Sequence, residues 1–271
     1  MGVPIYQVNA FTHEPFHGNP AAVCVLHDPQ PEAWMQAVAK EMNLSETAFI
    51  SPMEEGWQLR WFTPSTEVPL CGHATMASAF VLRETGRCVQ KSPIRFHTRW
   101  SGTLIANQSE GNIELELPAI SIEQWPPPDE LIAALELSVV PDFVGITPIR
   151  GNNDRDYLIV LHSEDDVRAC HPNFDKLSKI NAGIILSARS ESGECDFISR
   201  YFVPFIGIDE DPVTGVAHCS LVPYWSQRLR KSQVIGYQAS TRGGFVYGRR
   251  EDDRVFLSGK CCMIWRGELI V

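Results

Sequence analysis

The chain has 271 residues, 44% of them hydrophobic and 21% charged, proportions of a globular protein with length for about two domains and well-buried cores. Its formal charge of -10 leaves no surplus of Lys and Arg to displace counterions from phosphates, so nucleic acid is not an expected partner. No apolar run approaches the roughly 18 residues of a membrane span, and MGVPIYQVNAF carries neither a basic stretch nor a small-residue cleavage site, so a cytoplasmic protein with no membrane partner is expected.

In chain order, IYQVNAF from Ile5 and AAVCVL from Ala21 read as strands. The segment Pro31–Met42 then reads as an amphipathic helix opening on a proline suited to a first turn. Asn43-Leu44-Ser45-Glu46-Thr47-Ala48-Phe49 places a carboxylate between that helix and an apolar strand, and WQLRWF from Trp57 continues the strand pattern. His73–Gly86 is apolar nearly all round, as a helix enclosed by a sheet should be, and closes on a glycine. NIELELP from Asn112 alternates like a half-buried strand, and the stiff Trp125-Pro126-Pro127-Pro128 stretch follows a domain boundary near residue 118. Beyond it come a short helix with an acidic start (Asp129–Leu137), strands from Asp156, Gly183 and Asp196, a second apolar helix from Ala217, and a strand after Ala239-Ser240-Thr241-Arg242-Gly243-Gly244.

An internal repeat organises these elements. RWFTPSTEVPLCGHA from Arg60 matches RYFVPFIGIDEDPVTGVA from Arg200, with Arg, Phe and the first Pro offset by 140 and the second Pro, Gly and Ala by 143. Two pseudo-symmetric halves joined by one three-residue insertion explain this. In each copy a glycine, Gly72 or Gly215, precedes a helix start, where backbone N–H groups and the positive helix end suit a small carboxylate.

Glu46, His73 and Asp211 supply two carboxylates and an imidazole on glycine- and proline-shaped turns, a set suited to general acid/base work. A solvated Glu, a backbone-satisfied His and a turn-capping Asp are the bland readings of the same residues. His13-Glu14-Pro15-Phe16-His17 matches the zinc-protease spacing, yet Pro15 inside it and Gly18-Asn19-Pro20 after it make a loop, so no metal is expected there. The eight cysteines include no C-x-x-C and read as reduced packing residues, although Cys71 and Cys219 each lie near a repeated glycine and keep a thiol-based racemase open. The Ala239–Gly244 stretch reads equally as an anion-wrapping loop or a hairpin turn. No dinucleotide or nucleoside-triphosphate motif is present in the sequence, so the chemistry is expected from side chains alone.

FTHEPFHGNPAAV, NLSETAF, FTPSTEVPLCGHAT, DEDPVTGVAH and ASTRGG, in this order over nearly the whole chain, resemble the signature of the PhzF-like phenazine-biosynthesis family. The resemblance implies a diaminopimelate-epimerase-like α+β fold: two domains, each a mostly antiparallel sheet wrapped around a central helix, with the active site in the cleft between them. The first is expected over 1–117, completed by 258–271, and the second over 118–257. It also implies a homodimeric isomerase without metal or organic cofactor, with Glu46 transferring a proton, His73 and Asp211 supporting it, and Asn19, Gly72, Gly215, Val216, Arg242 and Gly243 around a small carboxylate substrate. Val216 stands where the family reads serine and cannot donate a hydrogen bond, which puts the founding substrate aside and leaves a non-catalytic ligand-binding protein as a further alternative.

Overall fold

The computed structural model describes residues 2–89, 91–109, 111–149 and 155–270. The chain divides into two compact units, Met1–Leu117 with Phe256–Val271, and Pro118–Val255. The first unit contains β1 (Val3–Ala10), β2 (Asn19–Val25), α1 (Glu32–Met42), β3 (Glu46–Pro52), β4 (Trp57–Phe62), β5 (Glu67–Val68), α2 (Gly72–Glu84), β6 (Ile94–Thr98), β7 (Thr103–Ser109) and β8 (Asn112–Pro118). The second contains β9 (Glu123–Gln124), α3 (Asp129–Leu135), β10 (Phe143–Ile146), β11 (Asp156–Val160), α4 (Glu164–Ala169), α5 (Phe174–Leu177), β12 (Gly183–Arg189), β13 (Phe197–Val203), β14 (Ile208–Glu210), α6 (Gly215–Leu229), β15 (Gln233–Gln238) and β16 (Gly244–Glu251). The boundary falls within β17 (Arg254–Gly259), and β18 (Cys261–Leu269) returns the chain to pair antiparallel with β1.

Both units follow one pairing plan. In the first, antiparallel pairs β1–β2, β3–β4, β6–β7 and β7–β8 are joined by two parallel pairs, β2–β3 and β4–β6. In the second, β10–β11, β12–β13 and β15–β16 are antiparallel, while β11–β12 and β13–β15 are parallel. A parallel pair needs a crossover connection. α1 and α2 supply the first unit's two crossovers, and α4 with α5, then α6, supply the second's.

The repeat seen in the sequence marks the same place in each plan. Arg60 grips Glu67 with two parallel bonds (Nε–Oε1 2.6 Å, Nη2–Oε2 2.6 Å) and lies 5.2 Å from the centre of the Phe62 ring. Arg200 grips Glu210 in the same way (2.7 and 2.9 Å) and lies 4.8 Å from the Phe202 ring. Register extends the equivalence into the neighbouring strands. Phe62 faces Thr47 and Phe202 faces Ile184, so Glu46 at the start of β3 corresponds to Gly183 at the start of β12.

The central helices carry little polarity because nearly every face is covered. α2 packs against β1, β2, β3 and β7, and its buried Thr75 and Ser78 return their hydroxyls to Cys71 and Ala74 carbonyls, 2.6 and 2.7 Å away. Gly86, at φ +67°, ends the helix while Arg87 N–H bonds back to Leu82 O. α6 carries Pro223 inside it, which leaves the Cys219 carbonyl without its helical donor; Ile120 N–H takes that carbonyl at 2.9 Å. The amphipathic α1 turns Met35, Val38 and Ala39 onto Phe49 and Phe62. Pro31 caps α1 instead of entering its first turn, and Pro128 instead of Asp129 occupies the corresponding place in α3. No helix among the described residues is long and apolar enough to cross a membrane.

Candidate active site

Three local choices assemble one cluster in the first unit. Parallel pairing sets Ala21 opposite Glu46, so β2 and β3 begin at the same end, carrying Asn19 and Glu46 there. α2 packs on both strands and starts at Gly72, which brings Cys71 and His73 to the same place. His73 Nε2 lies 3.1 Å from Glu46 Oε2, with the imidazole 6% and the carboxylate 17% exposed. On the other side of the ring, Asn19 Nδ2 and Cys71 Sγ lie 3.2 and 3.5 Å from Nδ1. With Asn19 donating to Nδ1, the proton of a neutral ring sits on Nε2.

Burial opposes an imidazolium at His73, but the neighbouring Cys71 and Glu46 outweigh it and raise its pKa well above the ordinary histidine value. Burial, with a smaller contribution from Glu46, pushes the Cys71 thiol up to about 11. The thiol is therefore neutral near pH 7.

A second cluster gathers around the start of α6. Thr214 donates its hydroxyl to Asp211 Oδ2 and its N–H to Gln238 Oε1 at 2.8 Å, while Gln238 Nε2 bonds the Asp211 carbonyl at 2.8 Å. Ser240 ties in the next turn, donating to Pro212 O at 2.8 Å and accepting from Gly243 N–H at 3.1 Å. That N–H is thereby engaged within the turn. Gly243 sits at φ +66°, and a Cβ there would lie 2.2 Å from the Tyr237 hydroxyl, so the turn requires glycine. Burial lowers the Arg242 pKa. Val216 lies half-buried in the first turn of α6. No side-chain cap closes the start of either α2 or α6.

Asn19, Glu46, Gly72 and His73 thus form one neighbourhood, and Asp211 with Gly215, Val216, Arg242 and Gly243 belongs to the second unit. The sequence reading missed two members. Cys71 was weighed as a thiol base, not as a neighbour of the imidazole, although the N-cap position two residues before His73 carries that signal. Gln238 lies 24 residues beyond Thr214, and only the parallel pairing of β13 with β15 brings it in. The segment His13–His17 is an exposed loop with Phe16 at φ 70°, not a helix.

The family model described as phenazine biosynthesis-like protein (PhzC-PhzF) matches residues 8–267. An uncharacterized isomerase of Halalkalibacterium halodurans is 48% identical over 274 residues, covering all of both chains. The crystal structure of a phenazine biosynthesis protein of the PhzF family from Enterococcus faecalis superposes with a TM-score of 0.91 at 40% identity, also over all of both chains. A probable proline racemase from Agrobacterium radiobacter shares the fold at 8% identity, with a TM-score of 0.66 over 99% of this chain and 93% of its own.

Proposed function

Because the chain belongs to the phenazine biosynthesis-like (PhzC-PhzF) family, we propose that it is an isomerase in which Glu46 alone carries a proton from one carbon of a small carboxylic acid to another. The observation that carries this reading is the asymmetry of the repeat. Glu46 and His73 stand 3.1 Å apart in the first unit, while the equivalent positions of the second hold Gly183 and Val216, neither of which handles protons. A racemase with two thiol bases needs a second cysteine, and Thr214 stands where the repeat would place the counterpart of Cys71. A single carboxylate that removes and returns the proton gives a double-bond or keto/enol shift.

His73 Nε2 stands 3.1 Å from Oε2 of Glu46, leaving Oε1 to exchange the proton. The imidazole keeps the carboxylate oriented and stabilises its charge before abstraction. First-turn N–H groups of α2, with no side-chain cap, suit the substrate carboxylate, and the positive helix end favours the enolate-like charge that develops beside it. Asn19 fixes the ring through Nδ1.

Incubating a panel of small unsaturated and keto acids with the protein in heavy water, and following deuterium at carbon by NMR, tests the reading. Glu46→Gln should reduce the exchange rate by about 10²–10⁴-fold while ligand binding persists. Wild-type exchange by Glu46→Gln refutes the assignment. Loss of exchange in Cys71→Ser with full activity in Glu46→Gln moves the chemistry to the thiol.

A further inference from the structure

Asn19 enters β2 from a turn that leaves its backbone little choice. Gly18 sits at φ +68°, where a Cβ would lie 2.2 Å from the Ala10 carbonyl oxygen. Asn19 then pairs with Ala10 at the end of the β1–β2 ladder, and Pro20 pairs with Asn9. The side chain is fully buried and brings its amide 3.2 Å from Nδ1 of His73. Glu46 Oε2 stands 3.1 Å from the other ring nitrogen, Nε2. Cys71 Sγ lies beside both, 3.5 Å from Nδ1 and 3.9 Å from Nε2.

Burial disfavours a charged ring, while Cys71 and Glu46, the titratable groups that act on it, favour one. Each charge state asks something different of Asn19. A neutral ring with its proton on Nε2 presents Nδ1 as an acceptor, and the imidazolium presents Nδ1–H as a donor. A carboxylate at position 19 could meet only the second demand, and an aliphatic side chain meets neither. A primary amide meets both, because turning it about its last bond exchanges the NH₂ group for the carbonyl oxygen in nearly the same place. The Cys71 thiol, a weak donor and a weak acceptor, does not replace it.

We infer that Asn19 is a positioning residue that makes Nδ1 the titrating nitrogen of His73, so that Nε2, the nitrogen nearer Glu46, carries its proton in both charge states. The proton that the ring gains on acidification is taken from solvent at Nδ1 and returned to solvent from there, with the amide turning to match it. The consequence for catalysis rests on the proposed function. A ring whose Nε2 is always protonated cannot accept the proton that Glu46 has removed, so that proton goes back to the substrate. His73 then orients the base without draining it.

The test reads the ring directly. The protein, labelled with ¹⁵N-histidine, is titrated with pH while the two ring nitrogens of His73 are followed by ¹H–¹⁵N correlation NMR, and His73→Gln assigns the signals. The titration is run in Glu46→Gln, which removes one of the groups favouring the charged ring and brings the midpoint down. The neutral ring should there show a protonated Nε2 and a bare Nδ1. Adding Asn19→Asp, an acceptor of the same shape, should raise the midpoint by about one unit or more and move the neutral ring's proton to Nδ1. Adding Asn19→Leu instead should lower the midpoint and leave a mixture of tautomers; far-UV circular dichroism confirms that each variant is folded. A neutral ring with its proton on Nδ1 while Asn19 is present, or the same single tautomer after Asn19→Leu, overturns the inference. Neither result touches the deuterium-exchange test of Glu46, and wild-type exchange by Glu46→Gln would refute the proposed function while leaving the tautomer result in place.

Discussion

Acidification should destabilise the second unit through one buried histidine. His218 is fully buried in α6, its Nδ1–H donates to the Thr214 carbonyl at 2.8 Å, and its ring packs 5.9 Å from Phe197. Burial lowers its pKa from 6.5 to about 4, only partly offset by the Thr214 carbonyl. The unfolded chain therefore takes up this proton before the folded one. The contribution of His218 is intact above about pH 6.5, declines as pH falls from there, and levels off below about pH 4. At 1.36 kcal/mol per pKa unit, the loss across the window is about 3 kcal/mol. His218→Asn keeps an N–H near the Thr214 carbonyl and removes the titration. Urea unfolding at a series of pH values, read by near-UV circular dichroism of the tryptophans, should show wild type losing about 3 kcal/mol more than the variant between pH 7 and pH 4. Trp225, stacked on Phe197 at 5.8 Å, reports from the same cluster. Parallel pH profiles for the two proteins would refute the reasoning, whatever their absolute stabilities.

The repeated arginine grips give a second expectation: Glu67→Gln removes the charge from a bidentate pair whose carboxylate is 6% exposed, costing about 2 kcal/mol in urea unfolding, and a change below about 0.5 kcal/mol contradicts it. A third concerns helix-to-sheet distance. A Cβ at Gly248 would lie 2.2 Å from Val222 Cγ2, so Gly248→Ala should cost about 1–3 kcal/mol, and in a Val222→Ala background the same change should be close to neutral. Equal costs in both backgrounds would show that the clash is not the cause.

The parts of the fold legible in sequence were those whose burial repeats with a simple period. α2 and α6 showed as all-round apolar runs because each is covered on nearly every face, and β1, β4 and β12 showed as apolar or alternating stretches. β18 left no such trace, because residues 265–268 are exposed and its pairing with β1 is a matter of backbone. α4 and α5, six and four residues long, are shorter than a helical pattern needs to declare itself; their capping by Ser163 and Asn173 is the better signal. At the site, Glu46 and His73 could be nominated from composition and turn context, but their contact depends on β2 and β3 running parallel, which no residue pattern states. The equivalence of Glu46 with Gly183 lay further out of reach, since β3 and β12 share no sequence that would align them.

That equivalence constrains substitution. A carboxylate at position 183 would mirror Glu46, but the space is occupied. A Cβ there would lie 2.3 Å from both Asp156 Oδ1 and the Tyr201 hydroxyl, which bond each other at 2.8 Å. Introducing an acidic side chain would demand that Asp156 and Tyr201 change at the same time, so each single substitution on the way gives a less stable protein. The division of labour between the halves is therefore locked by packing: the hydrogen bond between Asp156 and Tyr201 fills the space that a side chain at position 183 would need, so no single substitution there makes the halves alike.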